Sequence, residues 1–286
     1  MPELSMLEKI FVFLQYIVPQ HLLSRLTGWL ADSKIKFLKN FLIHHFINQF
    51  GVDMSLAKNP DPQSYENFNA FFTRALKEDI RPIDSRSNTF CSPVDGSISE
   101  LGNIEHDRLI QAKGFYFDLI SLVGGDDALA ENFINGDFAT IYLSPKDYHR
   151  IHMPCSGRLV GTTYVPGKLF SVNNATAKSV PHLFARNERL VCEFETDRGS
   201  LVIIFVGAMI VAGIETVWGG QVTPLPKIPS STRFDKKIEF EKGDEIGRFK
   251  LGSTVIILSQ SGSLNFNDFS HGDAIRMGEA FANYLE

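Results

Sequence analysis

An α+β chain is predicted, with amphipathic helices over residues 1–50 followed by a β-rich domain resembling a barrel or sandwich. Two patterns predict it. Apolar residues recur at steps of three and four through the first fifty positions, and from about Phe90 onward short apolar runs alternate with glycine corners. A third observation bounds the answer. A chain of 286 residues with 44% hydrophobic content can bury a substantial core in one or two domains, and fits neither disorder nor a disulfide-stapled mini-fold.

The first helical region holds Leu7, Ile10, Phe11, Leu14 and Ile17, then Leu22, Leu26, Trp29 and Leu30, then Leu38, Leu42, Ile43, Phe46 and Ile47. Pro19, Gly28 and Gly51 punctuate the pattern, so up to three short helices are expected. Lys9, Gln15, Pro19 and Gln20 interrupt any apolar run long enough to span a bilayer, and Glu3 replaces the basic start of a signal peptide. These fifty residues carry five cations against three anions, although the whole chain has a net charge of −5. Two readings follow: helices packed on the rest of the protein, or helices lying in a membrane interface with lysines toward anionic headgroups.

Residues 52–64 are polar and turn-rich, and Ser64 is expected to cap a helix holding Phe68, Phe71, Phe72 and Leu76. Strands are predicted over 139–143, 148–153, 158–165, 190–196 and 200–217, the last broken near Gly207 and Gly213, and over 248–258. Asp197-Arg198-Gly199 reads as a hairpin turn. Helices are expected over 126–134 and near 274–285, and the proline-bearing stretch 224–236 reads as a mobile loop. The division expected is 1–50 as amphipathic helices, membrane-associating in the second reading, and 51–286 as the β-rich domain.

With 28 Lys+Arg against 33 Asp+Glu, nucleic acid is not an expected partner. Three cysteines form neither a disulfide framework nor a zinc spacing, so no metal is implied and a reducing compartment suits them. Phenylalanine is abundant, with 24 residues available to fill a core or meet lipid.

Chemistry concentrates in three segments. In Ser92-Pro93-Val94-Asp95-Gly96 an aspartate is held between turn residues, and alone it reads as an ordinary turn carboxylate. In Tyr148-His149-Arg150-Ile151-His152-Met153-Pro154 two histidines stand three apart, which on a strand points them to opposite faces and disfavours a shared metal. In Phe249-Lys250-Leu251-Gly252-Ser253-Thr254-Val255-Ile256 a serine could simply decorate the predicted strand, and it stands outside any GxSxG elbow. Together Asp95, His152 and Ser253 supply an orienting carboxylate, a base and a nucleophile, and the neighbouring Gly252 carbonyl is unhindered for attack by the serine's own hydroxyl. A Ser-His-Asp hydrolase and a non-catalytic lipid-binding protein are the competing classes. The first predicts an intact chain labelled at Ser253 by fluorophosphonates, the second an unmodified serine.

Over nearly its whole length the sequence resembles the pyruvoyl-dependent phosphatidylserine decarboxylases of bacterial type I. The resemblance runs through Arg81-Pro82-Ile83-Asp84, Pro93-Val94-Asp95-Gly96, Leu143 to Pro154, Val165-Pro166-Gly167, Leu183 to Arg189, Glu215-Thr216-Val217-Trp218 and Leu251-Gly252-Ser253-Thr254. It implies a proenzyme that cuts itself between Gly252 and Ser253 into a β chain of residues 1–252 and an α chain of residues 253–286. Asp95, His152 and Ser253 form the implied self-cleavage triad. Ser253 becomes a covalent pyruvoyl group, the cofactor, which forms a Schiff base with phosphatidylserine and yields phosphatidylethanolamine. His149 is assigned to the decarboxylation step. The implied location is peripheral, on the cytoplasmic face of the inner membrane among its phospholipids. The oligomeric state of the β and α pair, whether or not it dimerises, is left open, as are the headgroup phosphate ligands, with Lys168, Arg186 and Arg189 as cationic candidates.

Overall fold

Ser5 starts the first helix, α1 (Met6–Ile17), with a reciprocal cap. Glu8 N–H donates to the Ser5 hydroxyl at 3.3 Å and Ser5 N–H donates to the Glu8 carboxylate at 2.8 Å. Pro19 then separates α1 from α2 (Gln20–Ala31), and Gly51, at φ +66°, ends α3 (Lys36–Phe50) in the left-handed conformation. The computed structural model describes residues 5–112, 115–209, 213–222, 228–250 and 253–285.

These helices are amphipathic in the reverse sense. In α1 and α2 the buried positions include Gln15, Gln20 and Ser24, whereas Leu7, Phe13, Ile17, Leu26 and Trp29 are exposed. The glutamines are inward because they pair with backbone. Gln15 accepts from Ser171 N–H at 2.8 Å and Gln20 from Leu169 N–H at 2.7 Å, which docks both helices on the 167–171 segment. No described helix is long and apolar enough to cross a membrane.

The next helix, α4 (Phe68–Phe72), starts later and ends earlier than predicted. Asn67, not Ser64, caps it by accepting from Ala70 N–H at 2.8 Å, because the Ser64 hydroxyl is already bonded to the Asp61 carbonyl at 2.6 Å. Leu76 falls outside the helix and bridges to Ala57. Phe68, Phe71 and Phe72 pack edge-on around Phe46 of α3, forming a small aromatic core with Ile43.

The chain then runs through β1 (Thr89–Cys91), β2 (Gly96–Asn103), β3 (Arg108–Ala112), β4 (Phe115–Asp118), α5 (Leu119–Val123), α6 (Asp127–Glu131), β5 (Asp137–Leu143), β6 (Arg150–His152) and β7 (Gly157–Val165). After α7 (Asn174–Ala177) and α8 (Leu183–Arg186) come β8 (Arg189–Thr196), β9 (Gly199–Val206), β10 (Gly213–Thr216), β11 (Gly220–Gln221), β12 (Ser230–Phe240), β13 (Glu245–Lys250) and β14 (Ser253–Ser259). The end of the chain forms β15 (Leu264–Phe266), β16 (Ala274–Ile275) and β17 (Ala280–Tyr284). Thr196 pairs with Gly199 across the predicted Asp197-Arg198 turn.

The predicted α+β organisation holds, with open sheets. Among the described residues the largest has eight strands in the order β12-β7-β8-β9-β14-β5-β2-β16, and a four-stranded sheet runs β11-β10-β13-β6. Neither closes into a barrel. Strand β14 lies between β9 and β5, and its side chains alternate between two cores: Val255 and Ile257 join one with Ile141 and Phe205, Ile256 and Leu258 join the other with Phe138 and Ile204. A strand buried on both faces has to be apolar without alternation, as this one is.

Two further expectations are corrected. The helix expected near 274–285 is instead β16 and β17. Gly278, at φ +86°, breaks the segment, and Phe281 and Ala282 enter the core through pairing of β17 with β1 and β15. The stretch 224–236 is not a loop throughout. Residues 223–227 lie outside the described residues, but from Ser230 the chain is the edge strand β12, whose exposed outer positions are polar for the same reason a loop's are.

Candidate active site

Three strand ends meet at one end of the large sheet. Ser253 opens β14 opposite Leu143, the last residue of β5, and Tyr142 beside it stands opposite Ser97 near the start of β2. Asp95 immediately precedes β2. Gly96 is required there, since a Cβ would lie 2.5 Å from the Tyr142 carbonyl oxygen. The small sheet feeds the same place: β13 ends at Lys250, and after Leu251 and Gly252 the chain enters the large sheet as β14. Gly252, the expected cleavage partner, lies outside the described residues, as does Leu251.

Ser253 is fully buried and its hydroxyl has no hydrogen-bond partner among the described residues; the same is true of Thr254. Buried hydroxyls are ordinarily satisfied, but Ser24, Thr140 and Ser259 share this state, so it does not by itself single out Ser253.

His152 belongs to β6, and its N–H donates to the Pro93 carbonyl at 2.9 Å, which ties this strand to the Asp95 turn. Its ring Nδ1 lies 2.7 Å from the Gly243 carbonyl oxygen and Nε2 lies 3.0 Å from the Tyr148 hydroxyl. A carbonyl only accepts, so Nδ1 carries the proton and Nε2 receives the tyrosine's hydrogen bond. Burial lowers the imidazole's proton affinity, while the Gly243 carbonyl and, more weakly, the charges of Glu245 and Asp95 raise it. The ring is therefore neutral near pH 7, with its basic nitrogen at Nε2.

Asp95 does not hydrogen-bond to that ring. Its carboxylate accepts from Arg81 Nε at 2.8 and 3.0 Å and from Met277 N–H at 2.9 Å. The orientation expected of Asp95 is supplied to His152 by the Gly243 carbonyl, and Asp95 acts on the ring through space. Gly243 is fitted to this place at φ +93°, where a Cβ would meet Ile83 at 2.9 Å.

His149 lies just before β6, in the 144–149 loop, so its separation from His152 does not come from strand alternation. It is completely buried and stacks on Phe72 with ring centroids 4.1 Å apart. Nε2 lies 3.1 Å from the Ser144 carbonyl and must donate to it, leaving Nδ1 unprotonated and without a hydrogen-bond partner among the described residues. Burial, reinforced by the charge of Arg74 and opposed by the carbonyls of Pro145 and Ser144, pushes its pKa down to about 3. Nearby, burial pushes the Asp147 carboxyl up to about 6, with the Ser144 N–H bond opposing and the Asp95 charge adding to the rise.

The cationic candidates divide differently. Arg189 is buried and spends its guanidinium on the carbonyls of Leu122, Ala185 and Asn187, at 2.7, 2.7 and 2.8 Å, a structural clamp. Arg186 lies over the Phe170 ring at 5.1 Å, and Lys168 pairs through backbone with the 186–188 segment. Sequence reasoning had not singled out Arg81, Tyr148 or Gly243. Arg81 and Tyr148 lie within the motifs that carry the family resemblance, but the Gly243 carbonyl has no side-chain signal.

The pattern of the family described as phosphatidylserine decarboxylase matches residues 68–283, and a second, described as PSD, matches residues 10–51. A protein of Alcanivorax borkumensis is 56% identical over 266 residues, covering 92% of this chain and 91% of its own. Relatives from Ectopseudomonas mendocina and Pseudomonas fluorescens are 52% and 51% identical, each covering at least 96% of both chains. All three carry the name phosphatidylserine decarboxylase proenzyme. The protein is a decarboxylating enzyme, a carboxy-lyase. It belongs to the phosphatidylserine decarboxylase family.

Proposed function

We propose that the chain is a proenzyme that cuts itself at Gly252–Ser253 and, with residue 253 converted to a pyruvoyl group, decarboxylates phosphatidylserine to phosphatidylethanolamine at a membrane surface. The observation that carries this is the place of Ser253, buried at the head of β14 directly after Gly252, where β5 ends and β2, which follows Asp95, begins. In the cut, Ser253 Oγ attacks the Gly252 carbonyl carbon, the peptide C–N bond breaks and an ester takes its place. His152 Nε2 takes the hydroxyl proton, after releasing its hydrogen bond from Tyr148, and passes it to the leaving nitrogen. Loss of the Ser253 α-proton then expels the Gly252 carboxylate, and water replaces nitrogen as ammonia, leaving the ketone. Asp95, anchored by Arg81, stabilises the charged imidazole through space.

The pyruvoyl carbonyl would condense with the substrate's amine and take up the electron pair left when carbon dioxide departs. The ammonium proton released on condensation is returned to the carbon that has lost carbon dioxide, and His149, buried against Phe72 with its Nδ1 without a hydrogen-bond partner among the described residues, is the group assigned to that delivery. Because β14 is paired on both sides by strands of the other chain, the α chain stays in place after the cut.

Residues 1–50 form the membrane-associating part and 51–286 the catalytic domain. Support comes from the outward apolar residues of the first helices, with Trp29 at 78% and Phe37 at 83% exposure. The surface addressed is the cytoplasmic face of the inner membrane. The test is mass spectrometry of the purified protein: two chains, 1–252 and 253–286, the second without a free N-terminal amine. Ser253→Ala should remain one chain without activity, and cleavage of that variant at the same bond would assign the cut to an outside protease.

A further inference from the structure

A cleft of about 300 Å³ opens between the 58–75 segment and strands β6 and β13, lined by Lys58, Tyr65, Arg74, Arg150 and Arg248. Its lining contains four cations and no carboxylate. Arg150 and Arg248 are both paired to Glu245, at 2.8 and 2.7 Å, behind the lining. Lys58 is exposed and forms no ion pair among the described residues.

Arg74 is the unusual member. It is 4% exposed, and of its guanidinium only Nη2 is engaged, donating to the Lys146 carbonyl at 2.9 Å. Among the described residues Nε and Nη1 have no hydrogen-bond partner and no carboxylate forms an ion pair with it. Beyond the Lys146 carbonyl it has the face of Phe71, whose ring centre lies 5.6 Å from the guanidinium carbon. A buried guanidinium with unmet donors is costly unless an anion meets it. The site adjoins His149: Phe72, two residues before Arg74, stacks on it, and Arg150 follows it directly.

We propose that this cleft holds the phosphodiester of the lipid headgroup, with Arg74 as its buried donor and Lys58 at its mouth. The assignment rests on the reading of His149 and residue 253 as the reacting groups. The substrate carries two anions, and chemistry separates them. A guanidinium on the carboxylate would stabilise the ground-state charge that must leave as carbon dioxide, slowing the reaction, whereas one on the phosphate positions the substrate without opposing it. The volume suits a headgroup, since it is at the low end for small-molecule sites, and the acyl chains remain outside.

The test is equilibrium binding of dihexanoyl-phosphatidylethanolamine, below its micelle concentration, to the purified protein, beside 2-hexyloxyethylamine, which lacks the phosphate, and inorganic phosphate. Arg74→Gln and Lys58→Glu should weaken the short-chain lipid by about ten- to a hundredfold, with partial recovery in Arg74→Lys, and leave the ether amine within about twofold. Lys58 is exposed, so its variant folds whatever happens at Arg74. Unchanged lipid affinity in Lys58→Glu and in a folded Arg74→Gln overturns the proposal, as does equal weakening of both amines. Weakened binding of inorganic phosphate with lipid affinity intact would assign the cleft to the free ion and also overturn it. Mass analysis of the same samples separates the two readings: an uncut chain whose lipid affinity depends on Arg74 refutes the Ser253 reading alone, and a cut chain with indifferent affinity refutes the cleft alone.

Discussion

Asp95 and Arg81 offer the sharpest test of how the self-cleavage site is built. Their side chains are only 9% and 12% exposed and share a forked contact, so the small value of surface ion pairs does not apply. Asp95→Ala leaves the Arg81 guanidinium largely buried with the Ile80 carbonyl as its remaining partner, at 3.0 Å. Breaking a buried pair in this way costs roughly 3–5 kcal/mol, and the retained carbonyl bond places the expected loss at about 3 kcal/mol. Adding Arg81→Met removes the stranded charge and should recover all but about 1 kcal/mol. Urea unfolding measures this cycle in a Ser253→Ala background, where the chain stays whole. Cleavage is followed separately with Ser253 restored, as the time course of two bands on a denaturing gel. Because the Gly243 carbonyl still orients His152, Asp95→Asn should slow cleavage by about 10–100-fold, well short of the ~10⁴-fold loss when a directly bonded triad aspartate is replaced. Loss of less than about 1 kcal/mol together with a 10⁴-fold slower cut would show that Asp95 serves the imidazole and not Arg81, and would refute the argument.

The remaining expectations concern His149, acid sensitivity and the membrane. His149→Ala should still separate into two chains, but its turnover per mole of pyruvoyl group should fall by about 10²–10⁴-fold; wild-type turnover on that scale would remove His149 from the chemistry. His149 should make the fold acid-sensitive. Burial holds its folded pKa at about 3, so between about pH 6 and 4 the unfolded imidazole binds a proton that the folded one does not, and this group's contribution to stability falls by about 1.4 kcal/mol per pH unit. Urea unfolding of Ser253→Ala beside Ser253→Ala/His149→Phe measures it: the stability of the first should fall relative to the second by about that amount on acidification, and a difference independent of pH would contradict this. Trp29→Ser and Phe37→Ser, at positions 78% and 83% exposed, should leave the fold and the cut intact. Each should reduce binding to anionic vesicles by about ten- to a hundredfold, the value of burying one aromatic side chain, and unchanged binding would place the anchor elsewhere.

Much of this protein was legible in one dimension because the signals are local. The punctuation by Pro19 and Gly51 bounds the first helices, period-two and all-apolar runs mark the strands, and Asp197-Arg198 closes its hairpin from short-range geometry alone. The segments holding Asp95, His149, His152 and Ser253 each read alone as ordinary turn or strand residues, and only their combination and the family resemblance singled them out. Where prediction failed, long-range pairing had overridden local preference. Residues 280–284 form a strand because β1 and β15 flank them, and the polar segment from Ser230 is a strand because β7 lies beside it. The direction in which the first helices turn was likewise undecided by their periodicity, which defines a stripe but not its partner; the buried glutamines, bonded to the 169–171 backbone, face it outward. The same holds inside the site. That Asp95 meets Arg81, and that a backbone carbonyl at Gly243 orients His152, depends on segments 14 and 91 residues apart brought within hydrogen-bonding distance. Residue type announces which groups can react, but a hydrogen bond is chosen by distance and angle, and only the packed chain supplies those.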